Sequence, residues 1–386
     1  MNGRQLRGMT WGHRRAIDPL IATLLEFQRR YPDIAVNWDA RPLHGFEFTP
    51  VGELAQKYDL IILDHPFCGD IARTGALLPL DELITPALER AFVGPSLATY
   101  RYDNRIWALP VDAACQVAVA RPDLLAKFDR PAPASWSEMQ QLGEAAQRKG
   151  QKLAIGLRGV HSLMTFFTAC ANLGRPCATD PHQKLIDRDT AREAIDAIKA
   201  LLAFCPREAL DWNSIELHDA MVARDDLVFC PAVYCYATYA EADIARPLRF
   251  SNLPGLVDSN PRGSTIGGTG LGISAQVKDR DAAFAYARYL MESAAQKAFA
   301  AHHGQPARID SWEDPAIGAR FGGCYADTRA TMEACWIRPR YSGYLAFQAA
   351  AGTLIEQHLR GEVAFDALFD RLSALHRTSA GTRPTA

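Results

Sequence analysis

Several features that mark membrane proteins and nucleic-acid-binding proteins are missing from this sequence. No stretch comes close to the roughly eighteen uninterrupted apolar residues of a membrane-spanning helix. Neither sign of charge dominates, because 42 Lys and Arg residues stand against 44 Asp and Glu residues, for a formal net charge of -2 at pH 7. We therefore expect no nucleic acid and no anionic membrane as a partner, and specificity must come from a local site.

The start of the sequence lacks the pattern of a secretory leader. Residues 1–10 are not followed by an apolar run and a small-residue cleavage site. We expect the protein to be periplasmic if a leader preceded this sequence, and cytoplasmic otherwise.

Motifs for nucleotide binding and catalysis are also missing. The glycine-rich segment 263–272, GSTIGGTGLG, lacks the Gly-Lys-Ser/Thr ending of a phosphate-binding loop and the position of a dinucleotide fingerprint. Neither G-x-S-x-G nor H-E-x-x-H occurs. His65 and Cys68, with Asp70 nearby, could suggest a base and a nucleophile, but neighbours on one loop need not face each other. We predict a protein without cofactor, metal or enzymatic activity, and keep a hydrolase-type enzyme as the less favoured alternative.

Nine cysteines are scattered along the chain without C-x-x-C or zinc-ribbon spacing. Most of them are predicted to be small buried hydrophobic residues in a reducing compartment. Cys230 and Cys235 are close enough in sequence for a disulfide to be considered, although a strand or helix between them would keep them apart.

The length and the distribution of apolar residues indicate two α/β domains. A chain of 386 residues is too long for one ordinary core. Apolar residues predict a strand at 6–10, a helix from Ile17 and a second strand at 34–38, which together form a βαβ unit. A further buried strand is predicted at 58–63. The loops 11–15 and 64–70 follow parallel strands, where open α/β sheets bind their ligands.

A second α/β unit is predicted after Asp112. Ser135 and Glu138 have the spacing of a capping box at a helix start. Apolar patterns beyond them predict strands at 153–157 and 227–231 and helices at 162–173 and 191–204. The five glycines of 263–272 then form a candidate wall of a ligand site, or alternatively a turn that lets a strand re-enter the core.

Six short motifs, in the right order over nearly the whole chain, resemble those of extracellular solute-binding proteins of ABC importers, in the sugar-binding group. The matching positions are residues 59–64 with Gly75, Pro79 and Leu80; Ile106, Trp107 and Pro110; Pro133, Trp136 and Glu138; Gly267, Gly268 and residues 271–274; Gln296, Gly304, Pro306 and Arg308; and Arg338, Pro339, Tyr341 and Gly361. The chain departs from the group in its many cysteines and in having residues 102–105 where a glycine-containing turn is usual.

The resemblance implies a periplasmic-binding-protein-like α/β fold of type II, with two lobes, a ligand cleft and a hinge. Residues 1–111 and 262–309 would form the N-terminal lobe, and residues 112–261 and 310–386 the C-terminal lobe, with crossovers near Asp112 and at 259–262. The implied function is capture of a carbohydrate, polyol, sugar acid or sugar phosphate in the cleft by hinge closure. The implied partners are this small molecule and an ABC-transporter permease, with the protein itself a monomer. A cytoplasmic sensor or scavenger of the same fold is the alternative.

A site for a sugar needs aromatic platforms and polar side chains. Our candidates for the platforms are Trp11, Tyr234, Tyr236 and Trp336, each of which could equally be an ordinary core residue. Our candidates for the polar contacts are His13, His65, Asp112, Thr269 and Arg308, with Arg14, Phe67 and Gly268 from the same loops. Arg14 and Arg15 more often form a solvated helix face. His13, Arg14, His65 and Arg308 together raise the narrower hypothesis of an anionic ligand.

Overall fold

The chain divides into two compact units. The structure, a computed structural model, describes residues 4–42, 49–258 and 262–379. The first unit contains Met1–Ala113, Gly267–Gly318 and Arg340–Ser342, and the second contains Ala114–Ile266, Ala319–Pro339 and Gly343–Ala386. Residues 259–261 of the predicted second crossover lie outside the described residues. None of the helices in the described ranges has the length and apolar character needed to cross a membrane.

Eleven strands are found in the described residues. In chain order they are β1 Arg4–Trp11, β2 Ile34–Arg41, β3 Leu60–Leu63, β4 Arg101–Tyr102, β5 Arg105–Ile106, β6 Leu109–Asp112, β7 Gln116–Ala120, β8 Lys152–Leu153, β9 Leu227–Tyr234, β10 Arg249–Ser251 and β11 Thr269–Ile273.

The α-helices in the same residues are α1 Arg14–Arg30, α2 Val51–Ala55, α3 Cys68–Thr74, α4 Pro86–Glu89, α5 Ser96–Tyr100, α6 Pro122–Leu125, α7 Trp136–Arg148, α8 Val160–Asn172, α9 Arg188–Leu202, α10 Ser214–Ala223, α11 Arg280–Leu290, α12 Ser293–Ala301, α13 Ile309–Trp312, α14 Pro315–Arg320, α15 Cys324–Glu333, α16 Tyr344–Leu359 and α17 Phe365–Ser379.

The first unit is built on a five-stranded sheet with the order β2-β1-β3-β11-β6. β1 pairs in parallel with β2 and β3, whereas β11 is antiparallel to both β3 and β6. The predicted βαβ opening is confirmed, and all four residues of β3 are buried. Because β11 alone runs in the opposite direction to its neighbours, its amino end lies at the same sheet edge as the carboxyl ends of β1, β3 and β6.

The glycine-rich segment forms β11 and the approach to it. A Cβ atom added at Gly270 would lie 2.7 Å from a ring atom of Tyr100, and one added at Gly272 would lie 2.5 Å from Leu77 Cδ1. These two glycines are therefore needed for packing of a central strand, which is the second of the two interpretations of this segment. Gly268 has φ 90 and turns the chain into the strand.

The second unit contains a four-stranded sheet with the order β10-β7-β9-β8. The predicted capping box is present at the start of α7. Ser135 Oγ accepts from the backbone N–H of Glu138, and the Glu138 carboxylate accepts from the backbone N–H of Ser135. The strand predicted at 153–157 is wrong beyond Leu153. Ala154 N still donates to Phe229 O of β9 at 2.8 Å, but the backbone then turns away, and Leu157 N donates to Ala209 O at 2.9 Å.

Seven of the nine cysteines are buried, and none of the nine forms a disulfide. Cys230 lies within β9 and Cys235 directly follows it. Five residues of extended chain span about 16 Å, far more than the roughly 7 Å that a disulfide allows between Cα atoms. A disulfide between Cys230 and Cys235 is therefore excluded.

Candidate functional site

One edge of the first unit's sheet collects most of the predicted site residues of that unit. Trp11 ends β1, His65 follows β3 by two residues, Asp112 ends β6 and Thr269 begins β11. Thr269 is the direct register partner of Asp112. The strand directions bring together at this edge side chains that are far apart in sequence, as the carboxyl-end rule for α/β sheets predicts.

His13 is the N-cap of α1, the helix that follows β1. Its Nδ1 accepts a hydrogen bond from the backbone N–H of Arg15 at 3.1 Å. Burial, followed by the positive charges of Arg15 and Arg14, lowers the pKa of the imidazole from 6.5 to about 4. At neutral pH the ring is therefore uncharged and, because Nδ1 accepts, its proton is on Nε2. His13 is thus an uncharged N-cap at the amino end of α1.

The lowered pKa of His13 predicts a loss of stability in acid. The unfolded chain takes up a proton on this ring near pH 6.5 and the folded chain only near pH 4. The stabilisation that comes from keeping the ring neutral is therefore complete above pH 6.5, and it is lost as the pH falls towards 4, because protonation favours the unfolded chain. His13→Asn keeps an N-cap acceptor without the titration. Between pH 7 and pH 4 we expect the wild type to lose about 2 kcal/mol more unfolding free energy than this variant.

Urea denaturation at a series of pH values measures this difference. His182→Asn, at an exposed position, is the control and should follow the wild type. Parallel pH curves for the wild type and His13→Asn would show that the His13 ring does not contribute to acid sensitivity.

Arg15 and Asp112 form a buried ion pair behind this cap. Arg15 Nε lies 2.8 Å from one carboxylate oxygen and Nη2 lies 2.5 Å from the other. Only 4% of Arg15 and 2% of Asp112 are exposed. Burial raises the pKa of the Asp112 carboxyl, and the charge and hydrogen bonds of Arg15 act in the opposite direction. The prediction that Arg15 belongs to a solvated helix face is therefore wrong.

The segment after β3 places the side chains of His65 and Phe67 at the same edge of the sheet. The His65 backbone N–H donates to Asp64 Oδ1 at 2.9 Å, and His65 Nδ1 lies 3.1 Å from the same oxygen. The His65 ring packs edge-on against Tyr100, and Phe67 is almost fully buried. Burial raises the pKa of the Cys68 thiol to about 12, so this cysteine is protonated and unsuited to the role of nucleophile.

Two threonine hydroxyls at this edge are buried without a hydrogen bond to any described residue. They belong to Thr10 in β1 and Thr269 in β11, which are 0% and 7% exposed. A buried hydroxyl normally has a partner, and one without a protein partner indicates a place for water or ligand. Thr269 was predicted as a site residue, whereas Thr10 was not, because a threonine within an apolar strand gives no distinguishing signal.

The two remaining predicted cations of the first unit have different surroundings. Arg14 Nη2 lies 3.0 Å from both ring nitrogens of His303. Arg308 Nη2 lies 2.8 Å from Asp310, and Arg308 Nη1 donates to a backbone carbonyl at 3.0 Å. The bonds of Arg308 hold the loop before α13, so the structure does not bring its guanidinium to the sheet edge in the way it brings His13 and Asp112.

The predicted platforms Tyr234, Tyr236 and Trp336 belong to the second unit. Tyr234 ends β9, where it pairs with Gln116 of β7. Tyr236 is 5.8 Å from the ring of His218, and Trp336 packs against the ring of Phe167 at 5.2 Å. Their role in ligand binding stays a prediction.

The described part of the chain contains no group of three or more His, Cys, Asp or Glu side chains that could hold a metal ion.

Comparison with known proteins identifies the family. Residues 49–316, more than half of the chain, match the family described as bacterial extracellular solute-binding protein. This chain belongs to that family. The resemblance predicted from the sequence is confirmed. The partner expected for a solute-binding protein is a small molecule. No match was found among curated proteins.

Solved structures of other solute-binding proteins share the fold. Maltose-bound MalE3 of T. maritima is 18% identical, with 97% of this chain and 99% of that chain covered and a TM-score of 0.82. A solute-binding protein of Thermotoga lettingae bound with α-D-tagatose is 16% identical, with 98% and 100% covered and a TM-score of 0.82. One of Agrobacterium radiobacter in complex with ribitol is 17% identical, with 97% and 98% covered and a TM-score of 0.73. The predicted α/β fold of the periplasmic-binding-protein type is confirmed.

Proposed function

We propose that this protein captures a small polyhydroxylated ligand, namely a carbohydrate, polyol, sugar acid or sugar phosphate, and delivers it to the permease of an ABC importer. The observation that carries the proposal is the sheet edge of the first unit. There, the buried hydroxyls of Thr10 and Thr269 have no hydrogen bond to any described residue. Hydroxyl-rich ligands both donate and accept hydrogen bonds, which suits these two groups.

The ligands of similar structures support the same class. Maltose, α-D-tagatose and ribitol are the molecules held by the three proteins described above. All three are uncharged and rich in hydroxyl groups. An acidic sugar is kept in the proposal because Arg14 begins α1, whose first turn has no acidic residue, and the amino end of a helix favours an anion.

We also propose that the protein acts in the periplasm as a binder and not as an enzyme. The family description, extracellular solute-binding protein, supports this location. Fractionation of cells that express the complete gene tests it, since a periplasmic binder should be released by osmotic shock. Recovery of bound ligand in unchanged chemical form tests the absence of catalysis.

A thermal-shift screen of neutral sugars, polyols, sugar acids and sugar phosphates tests the ligand class. At about a hundredfold excess over the dissociation constant, a ligand stabilises the native state by about 2.7 kcal/mol and should raise the melting temperature by a few degrees. A shift confined to one chemical class identifies the ligand. If none of these four classes produced a shift, the proposed ligand class would be wrong.

Thr269→Val tests the site itself. The change removes a hydroxyl that makes no hydrogen bond to the described residues and keeps the size of the side chain, so the unliganded protein should lose little stability. We expect the Kd of the ligand found in the screen to increase about three- to tenfold, the value of one hydrogen bond. Isothermal titration calorimetry measures the change.

Thr238→Val is a matched control for this variant. Thr238 is 3% exposed, its hydroxyl also has no hydrogen bond to the described residues, and it belongs to the second unit. Its Kd should equal that of the wild type. Equal affinities for Thr269→Val and the wild type would remove Thr269 from the proposed site.

A further inference from the structure

Six of the nine cysteines lie in thiol-to-thiol contact in the second unit. Each of the six has another cysteine as its neighbour, although the sequence contains no C-x-x-C motif that would predict such pairs. The pairs are Cys235 with Cys324, Cys115 with Cys335, and Cys170 with Cys177.

Two of these pairs connect the two ends of α15 to neighbouring positions of one strand pair. Cys324 begins α15, and its Sγ atom lies 3.4 Å from that of Cys235. Cys335 follows the end of the same helix, and its thiol is hydrogen-bonded to Cys115. Cys115 precedes β7, Cys235 follows β9, and Cys235 N donates to Cys115 O at 3.1 Å. Helix α15 is thus held at both ends by thiol pairs on adjacent backbone positions.

The third pair closes the turn after α8. Cys170 lies in the last turn of that helix, and its thiol is hydrogen-bonded to Cys177. Between them, Gly174 has φ 74, and Gly174 N donates to Ala171 O at 3.0 Å. The chain reverses here so that the two thiols meet, with both cysteines at most 3% exposed.

We propose that these three pairs close as disulfides when the protein folds in an oxidising compartment, giving the second unit a covalent framework. The inference rests on the periplasmic location proposed above, because disulfides form and persist in such compartments and not in the cytoplasm. Cys68, Cys205 and Cys230 belong to none of the three pairs and remain thiols.

Each closure is a thiol–disulfide exchange with a disulfide-bearing oxidant. Two Sγ–H bonds break and one Sγ–Sγ bond forms for each pair. The two electrons reduce the disulfide of the oxidant to two thiols, which also receive the two protons.

Oxidation must take place while the chain folds. Burial, together with the hydrogen bond to the neighbouring cysteine, raises the pKa of Cys170 and of Cys335 well above the usual value. Since the thiolate is the reactive form, the folded pairs react slowly with oxidants once they are buried. The test therefore begins from the unfolded chain.

The full-length chain is refolded from denaturant in a buffer of reduced and oxidised glutathione. Remaining thiols are then alkylated, and the linkages are mapped by mass spectrometry of unreduced peptides. We expect the three linkages named above, with Cys68, Cys205 and Cys230 alkylated. Alkylation of all nine cysteines in the refolded protein, or a different set of linkages, would overturn the proposal.

The melting temperature provides a second readout. We expect the oxidised protein to melt about 5–10 °C above the reduced protein. Cys324→Ala removes the bridge to Cys235 and should reduce this difference by several degrees. Cys205→Ala, at a half-buried cysteine outside the three pairs, should leave the difference unchanged. Equal melting temperatures for the oxidised and reduced wild type would contradict the proposed framework.

Trapping of thiols in intact cells separates this inference from the proposed location. Cells that express the complete gene are quenched with acid and alkylated before lysis. The three linkages in the shock-released fraction support both proposals. Correct linkages in vitro with nine alkylated cysteines in the cells would leave the pairing in place and overturn the periplasmic location.

Discussion

Arg15→Met is expected to destabilise the protein by about 3–5 kcal/mol, because it leaves the buried carboxylate of Asp112 without its counter-ion. Arg15 contacts both oxygens of this carboxylate, and the two side chains are 5% and 1% exposed. Asp112→Leu should cost a similar amount, since it leaves a buried guanidinium unpaired. Chemical denaturation of the single variants measures both effects.

The double variant Arg15→Met/Asp112→Leu shows whether the stability losses of the two single variants depend on each other or are independent. Replacing a buried ion pair by apolar side chains of similar size is often close to neutral. We therefore expect the double variant to lie within about 2 kcal/mol of the wild type, far above the sum of the single losses. Additive losses would show that each residue is held by other contacts and that the pair contributes no coupling.

The pH dependence gives an independent check of the Arg15→Met variant. Without the charge and hydrogen bonds of Arg15, burial still raises the pKa of Asp112 as the largest effect, and the backbone hydrogen bond of Gln305 is left to oppose it. The folded variant then prefers the protonated carboxyl, whose unfolded pKa is about 3.9. Its defect should therefore shrink as the pH falls through the raised folded pKa, because the buried group becomes neutral.

Arg4 and Asp279 provide a matched control in the same unit. This pair has the same two-point geometry, with Nε–Oδ2 and Nη2–Oδ1 distances of 2.6 and 2.7 Å. Its side chains are 37% and 29% exposed. Arg4→Met should cost far less than Arg15→Met, since water screens the pair and stabilises the carboxylate that is left.

The contrast between these two ion pairs shows why sequence patterns predict part of the site and not all of it. The carboxyl ends of β1 and β3 were predicted to within one residue, because strand and helix periods depend on near neighbours. The loops predicted at 11–15 and 64–70 are shorter than expected, since Trp11 ends β1, Arg14 begins α1 and Cys68 begins α3. Arg15 was assigned to a solvated helix face, because its partner is 97 positions away in sequence. No local pattern indicates that Asp112, at the end of β6, lies beside the first turn of α1.

The predicted lobes illustrate the same limit at a larger scale. A change in the order of elements indicated two α/β units, and this order is read from local patterns. The segment Arg340–Ser342 nevertheless belongs to the first unit, although the chain on both sides of it belongs to the second. The side chains of Arg340 and Ser342 hold this segment to partners 242 and 272 positions away in sequence, so no local pattern indicates the contact. Gly69 packs directly against the backbone of this segment.

Gly69→Ala is expected to destabilise the protein by at least about 3 kcal/mol, through a collision that side-chain movement cannot relieve. A Cβ atom at this position of α3 would meet the backbone carbonyl oxygen of Arg340, and would lie 2.5 Å from Ser342 N and 2.6 Å from Tyr341 C. The returning segment would have to leave the first unit. Urea denaturation measures the loss, and faster amide exchange at residues 340–342 would locate it.

Two sets of polar contacts make this displacement costly. Arg340 Nη1 donates to three backbone carbonyls around the end of α5, at 2.7, 2.7 and 2.9 Å. Ser342 Oγ accepts from Arg73 at 2.8 Å and donates to Asp70 at 2.6 Å, so both ends of the segment are attached. Gly52→Ala is the matched control, because a Cβ atom there meets nothing within 4 Å. Position 52 lies inside α2, so alanine should stabilise the protein by about 0.5–1 kcal/mol. If Gly69→Ala were as stable as Gly52→Ala, the returning segment would not be packed against α3 in solution.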